Sequence, residues 1–250
     1  MEQAEIAFHS IYEQCQEWAE QSLALYRTLD NPCRMAYALD LLGNTLRSSG
    51  LFERSKSALE EGLAIRQAMG DARGVAESLQ NLGGVIRLEG RFEASEEAIR
   101  QSIAILRELE DRGLEAHGVT SLASTYVQGG KYAEGLRIFE EAQEIRLDQG
   151  LPDDPVISTV TSYALMLSGQ YQQARTCARQ ALAITTQTDS TVGGFPLMNL
   201  GRVAQAEESY VEAQRYLLEG LPIFRARGEM TGFGETLACL GYVALRLHDL

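Results

Sequence analysis

The sequence predicts an all-α fold made of repeated pairs of antiparallel helices, and three observations lead there. A large aromatic residue recurs as Tyr12, Phe52, Phe92, Tyr132, Tyr171 and Tyr210, in steps of forty, forty, forty, thirty-nine and thirty-nine. Small and large apolar residues follow each of these anchors at helical spacing. A second apolar stripe of helical period precedes the anchors and is closed by glycine. At 250 residues the chain exceeds the usual single core of about 100–150 residues, so a core that grows by repetition is the natural reading.

The first element of each period, helix A, reads Leu39, Leu42, Gly43 and Leu46, then Leu79, Leu82, Gly83 and Ile86, then Val119, Leu122, Ala123 and Tyr126. The i, i+3, i+4, i+7 spacing is one apolar face with a small residue where a neighbour comes close. The turn comes next, with Gly50, Gly90, Gly130 and Gly169 each two residues before an anchor. Glycine there suits the left-handed conformation that ends a helix. Helix B starts at the anchor. Three residues on stand Cys15, Ser55, Ser95, Gly135, Ala174 and Ala213, and ten residues on stand Ser22, Gly62, Ser102, Ala142, Ala181 and Gly220. Thirteen on stand Leu25, Ile65, Ile105, Ile145, Ile184 and Ile223, so the small residues admit a neighbouring helix and the large ones seal the contact. The proline-bearing stretch "QGLPDDPV" at 149–156 and "TDSTVGGFP" at 188–196 end the fourth and fifth helices B.

In these columns the chain resembles the tetratricopeptide repeat, with Leu-Gly in the first helix, an aromatic residue opening the second, and small residues at the spacings above. "NLGGVIRLEGRFEASEEAI" and "NLGRVAQAEESYVEAQRYL" carry the likeness most fully. The period is about forty residues in place of thirty-four, and the proline near the end of helix B is replaced by Arg27, Gln67, Arg107, Leu147, Thr186 and Arg225. The resemblance implies a right-handed superhelix of antiparallel helix pairs. It implies one domain over 1–250 with about six repeats, anchored at 12, 52, 92, 132, 171 and 210. One more step of forty reaches Leu250, so "TLACLGYVALRLHDL" reads as a helix A without its helix B. An open end of this kind predicts a fragment of a larger protein, or self-association through Leu237, Leu240, Ala244 and Leu247.

Composition excludes several kinds of work. Lys and Arg number 22 against 35 Asp and Glu, a net charge of −13 that repels nucleic acid at long range. No apolar run reaches the ~18 residues needed to span a bilayer, and "MEQAEIAFHS" has no signal-peptide pattern, so a cytoplasmic location is expected. Cys15, Cys33, Cys177 and Cys239 lack metal or redox spacing and are expected as small buried thiols. His9, His117 and His248 stand in no catalytic or metal motif, and no phosphate-binding glycine loop occurs. An enzyme is not expected, nor a cofactor or a metal. Arg27, Arg66, Arg107 and Arg146, late in helices B, are expected to oppose the negative helix ends.

Family resemblance also implies that the A helices line a concave groove. Carried over position by position, its candidate ligand-binding residues are Tyr37, Asp40, Asn44 and Arg47, then Glu77, Gln80 and Arg87, then His117, Thr120, Ser124 and Gln128. They continue as Thr159 and Tyr163, then Phe195, Arg202 and Gln205, and last Glu235, Tyr242 and Arg246. Amides, guanidinium groups, hydroxyls and aromatic rings suit a face that hydrogen-bonds and stacks on a ligand. Arg47 and Arg87, one period apart, could together clamp a carboxylate or phosphate, or each could pair with a neighbouring acid. Long repeats of this sort resemble the sensor regions of the STAND signal-transduction ATPases. That likeness implies a ligand-sensing, protein-interaction domain that relays an inducer or partner to a nucleotide-binding module elsewhere. The alternative is a passive scaffold holding a peptide or helix of a partner protein.

Overall fold

Twelve helices make up the described chain: α1 (Glu2–Thr28), α2 (Pro32–Ser48), α3 (Phe52–Met69), α4 (Ala72–Leu88), α5 (Phe92–Glu108), α6 (Arg112–Gln128), α7 (Tyr132–Asp148), α8 (Pro155–Leu167), α9 (Tyr171–Thr188), α10 (Gly194–Ala206), α11 (Tyr210–Arg227) and α12 (Met230–His248). The computed structural model describes residues 2–188, 193–227 and 229–248, with the side chains of 13–187, 193–226, 229 and 231–247. The side chains of His9 and His248, residues 189–192 of the expected fifth-repeat loop, and Leu250 lie outside the described residues.

Every aromatic anchor from Phe52 onward is the first residue of its helix: α3, α5, α7, α9 and α11. Tyr12 is different, because α1 passes through it without a turn. Ser10 stands where four of the other repeats have glycine. The glycines Gly50, Gly90, Gly130 and Gly169 take φ of 75°, 76°, 82° and 76°, which releases each helix A into its helix B.

The opposite turn, from helix B back to helix A, has its own column. Asp30, Gly70, Glu110 and Gly150 adopt φ of 49°, 69°, 54° and 61°, and Glu208 takes the A-to-B turn with φ of 59°. A left-handed residue with a Cβ carries roughly 1–2 kcal/mol of strain. Glu110→Gly and Glu208→Gly are therefore expected to stabilise the protein by about 0.5–1 kcal/mol, the remainder being offset by the entropy glycine adds to the unfolded chain. A rise in the urea midpoint at unchanged slope would register this. One residue after each B-to-A turn, Asn31, Asp71 and Asp111 accept the backbone N–H of Arg34, Gly74 and Leu114 at 3.1, 2.9 and 3.2 Å. Asp154 likewise caps α8 through the Val156 N–H at 2.9 Å.

The Leu-Gly pair of helix A receives the helix B that follows. A Cβ at Gly43 would lie 2.6 Å from Leu59, at Gly83 2.7 Å from Ile99, and at Gly201 2.7 Å from Leu217. Four residues before these large side chains, Ser55 and Ser95 donate to the carbonyls of Gly43 and Gly83 at 2.7 and 2.8 Å. A hydroxyl is thus tolerated at a fully buried small position because a backbone oxygen satisfies it.

The chain divides into two compact units, Met1–Gly130 and Lys131–Leu250. Within the first, α1 to α6 each pack on the next, and α2 also touches α4, as α4 touches α6. Within the second, α7 to α12 do the same, with α8 against α10 and α10 against α12. The A helices therefore form a row in each unit. No helix among the described residues is long and apolar enough to cross a membrane.

The late arginines of helices B do more than face a helix end. Arg27 pairs with Glu61 at 2.6 Å, and Arg107 and Arg112 both bond the buried Glu115 at 2.7 Å. Arg146 pairs with Asp154 at 3.4 Å and donates to the Pro152 carbonyl at 2.8 Å. Arg66 is buried and bonds both Asp40 and Ser78. Burial opposes its charge, yet the Asp40 hydrogen bond and carboxylate outweigh that and raise its pKa.

Candidate functional site

In the first unit the A-helix row presents the expected residues in three different conditions. Tyr37 is exposed on α2. Asp40, on the same helix, is engaged by Arg66 through one oxygen, while its Oδ1 is buried without a hydrogen-bond partner among the described residues. Asn44 Oδ1 is also buried, with no hydrogen-bond partner among the described residues. On α4, Glu77 takes a bond from Arg73 at 2.5 Å, and Arg73 reaches Asp111 at 2.9 Å. Gln80 is buried between α4 and α6. Its Nε2 donates to the Leu114 carbonyl at 3.2 Å, and its Oε1 lies 2.6 Å from His117 Nδ1. Thr120 and Ser124 turn back onto their own helix, donating to Ala116 and Thr120 carbonyls at 2.8 and 3.0 Å. They are buried and offer a ligand little, whereas Gln128 is exposed.

Arg47 and Arg87 come together across α2 and α4. The Arg87 Nε is buried without a hydrogen-bond partner among the described residues. Its pKa is pushed down to about 10, first by burial and then by the charge of Arg47. Arg47 extends over α4, with its Nη1 3.1 Å from where a Cβ of Gly84 would stand.

The second unit joins one expected residue from each of its A helices. Arg202 of α10 lies over the Tyr163 ring of α8, 5.5 Å from its centre, and donates to Glu235 of α12 at 2.8 Å. Burial opposes the Arg202 charge, and Cys239 and Glu235 overcome it, raising its pKa. Thr159 is buried and donates to the Pro155 carbonyl at 2.6 Å. Gln205 has its Oε1 buried with no hydrogen-bond partner among the described residues, and Tyr242 is exposed. Two other expected residues are drawn away from the row. Phe195 stacks edge-on against Phe224 of α11, ring centres 4.9 Å apart, so it belongs to the core. Arg246 donates to the Tyr210 hydroxyl of α11 at 3.1 Å and covers that ring.

Asn199 was not among the expected residues. It is buried and donates to the Thr159 carbonyl at 2.8 Å, tying α10 to α8. Its position directly before Leu200-Gly201, matching Asn81 before Leu82-Gly83, was the available signal. The cysteines depart from expectation: Cys33 is exposed, and Cys15, Cys177 and Cys239 are only half-buried. Burial raises the Cys177 pKa. Among the described residues, no group of three or more His, Cys, Asp or Glu side chains could hold a metal ion.

No protein-family model matches the chain, and no curated protein does. Solved structures do match, and they are helical-repeat proteins. BtubC (BKLC) from P. vanneervenii superposes with a TM-score of 0.65 at 18% identity, over 86% of this chain and 91% of that one. A STAND protein with a tetratricopeptide repeat sensor from Pyrococcus horikoshii gives 0.60 at 16% identity, over 93% of this chain and 38% of that one. A Rap protein complexed with competence and sporulation factor gives 0.60 at 15% identity, over 98% and 63%. The fold is therefore all-α and TPR-like, as the repeat columns imply.

Proposed function

We propose that this chain is a protein-interaction and ligand-sensing domain that takes a protein or peptide segment, or a small-molecule inducer, along its A-helix rows. The observation that carries the reading is the Tyr163–Arg202–Glu235 chain, in which α8, α10 and α12 each contribute a side chain to one polar and aromatic surface. A ring face, a guanidinium and a carboxylate side by side can stack on and hydrogen-bond a peptide. Likeness in fold to a STAND protein with a tetratricopeptide repeat sensor and to a Rap protein in complex with a factor supports the same reading.

The finer form of the proposal is the sensor region of a STAND-type ATPase. An inducer held on the A-helix rows would favour one arrangement of the parent protein, and only by as much as its affinity differs between the two states. A thermal-shift screen against peptides and metabolite pools, repeated with Tyr163→Ala and Arg202→Ala, tests it. A ligand held at a hundred times its Kd stabilises by about 2.7 kcal/mol, which such a screen resolves. Stabilisation that disappears in both variants supports the A-row site. Stabilisation that survives both would move binding elsewhere, and a shift from peptides alone would favour the passive scaffold.

A further inference from the structure

We infer that the cleft between α1 and α3, floored by α2, is a binding site for a neutral molecule of the phenol class, a single aromatic ring bearing one hydroxyl. The cleft shares no residue with the candidate set on the A-helix row, so the inference goes beyond the reading above and is tested apart from it.

The cleft has a volume of about 340 Å³, and Leu23, Leu39, Leu42, Leu46 and Ala58 give it an apolar lining. An apolar cavity of about 150 Å³ already takes up benzene, so one substituted ring has room here. Charge is confined to the rim, where Glu20 of α1 pairs with Arg54 of α3 at 3.1 Å and Arg27 of α1 with Glu61 of α3 at 2.6 Å. Each cation there is balanced by an anion, so a charged ligand would have to displace a partner already in place, and a neutral one would not. The four side chains are about half exposed, and ion pairs so exposed hold weakly, so they can part to admit a small molecule. A ring carried on a partner's backbone would have to open both pairs at once.

The repeat itself shows what suits this floor. In the column of Leu46, α4 has Ile86 and α6 has Tyr126. The Tyr126 hydroxyl reaches α5, donating to Glu96 at 2.6 Å and accepting from Arg100 at 2.9 Å. In the same register, a ring lying over Leu46 would bring its hydroxyl to Gln16 and Glu20 of α1, the counterparts of Glu96 and Arg100. Glu20 is an acceptor where Arg100 is a donor, so the ring has to carry an O–H. Glu20 lines the cleft and already accepts from Gln16 at 2.9 Å and from Arg54, and a carboxylate has acceptor sites for a third bond. The next cleft, between α3 and α5, has Ala94 and Gln101 in place of Arg54 and Glu61 and so lacks this rim. The first cleft combines room for a ring with a carboxylate to hold its hydroxyl.

The test follows the leucine resonances of the 13C-methyl-labelled chain while p-cresol, toluene, 4-hydroxybenzoate and N-acetyltyrosinamide are added. p-Cresol should shift the Leu39, Leu42 and Leu46 methyls saturably. Toluene has the ring without the hydroxyl and should bind about ten- to a hundredfold more weakly, for want of one bond to a carboxylate. 4-Hydroxybenzoate should also bind more weakly, because of its charge. Ala24→Leu, at an exposed position on the cleft wall, and Leu46→Tyr, which supplies a ring from the chain itself, should each weaken p-cresol binding about tenfold or more. Ala24→Leu keeps the test decisive if Leu46→Tyr disturbs folding. Methyls that p-cresol leaves unmoved would overturn the site, and p-cresol binding unchanged in Ala24→Leu would overturn its placement. Toluene or 4-hydroxybenzoate binding as tightly as p-cresol would overturn the ligand class. Tighter binding of N-acetyltyrosinamide than of p-cresol would assign the cleft to a partner's tyrosine and overturn the free molecule. The A-row reading rests on Tyr163 and Arg202 and survives any of these results.

Discussion

Arg66→Ala is expected to lower the unfolding free energy by about 3–5 kcal/mol, the range for breaking one partner out of a buried ion pair. The Arg66 side chain is 8% exposed and Asp40 14%, so water cannot easily replace the lost contact. Removing the guanidinium leaves Asp40, whose Oδ1 already lacks a partner, with no opposing charge, and it strips the fully buried Ser78 hydroxyl of its donor. Gly74 shows how closely the arginine is enclosed: a Cβ there would stand 2.5 Å from Arg66 Cδ. The control is Arg66→Met combined with Asp40→Leu, which replaces both charges with apolar volume and should recover most of the loss. Urea denaturation of the parent and the two variants gives the energies directly. An unchanged midpoint in Arg66→Ala would mean that the pair is solvated and of little weight.

The second large effect separates two glycines that the repeat makes equivalent. Gly83→Leu forces a side chain into a contact that already holds Ile99 at 2.7 Å from the Cβ position, and overpacking of this kind costs about 1–3 kcal/mol or more. Gly241 follows Leu240 as Gly83 follows Leu82, yet among the described residues no atom outside its own helix turn lies within 4 Å of its Cβ position. Gly241→Leu should therefore be neutral, or stabilising by up to about 1 kcal/mol through helix propensity. Differential scanning calorimetry of the two variants against the parent decides the matter. Similar losses at both positions would mean that Gly241, like Gly83, is packed against a neighbour.

The helix pairs were legible in the sequence because their signals are local and recur. An aromatic residue opens α3, α5, α7, α9 and α11, and glycine with positive φ stands two residues before four of them. The reverse turn was not legible, since Asp30 and Glu110 take a glycine's conformation without being glycine. The A-row residues were legible as positions but not as states. Asp40 reads as an exposed acid on α2, and only the fold brings Arg66 from α3 onto it. Phe195 reads as an aromatic on the ligand face. It leaves that face because Gly194 and Gly232 open room for Phe224, whose ring then holds it. Thr120 and Ser124 differ again: a hydroxyl can satisfy itself on the carbonyl four residues back, so its presence on a face says little about its availability.

Within each unit a helix meets mainly the helices next to it in sequence, through short turns with left-handed residues. Little loop entropy has to be spent before such contacts form, so folding should be fast for a chain of this size. Stability then adds up from one neighbour to the next and is not shared by a single centre. Amide exchange should accordingly be graded along the chain: slowest where a helix has partners on both sides, as α4 does, and fastest in α12, where no described neighbour lies within 4 Å of the Gly241 Cβ position. A ligand bridging two or three adjacent A helices would slow exchange in those helices first, so the protein's own breathing would report where the ligand sits.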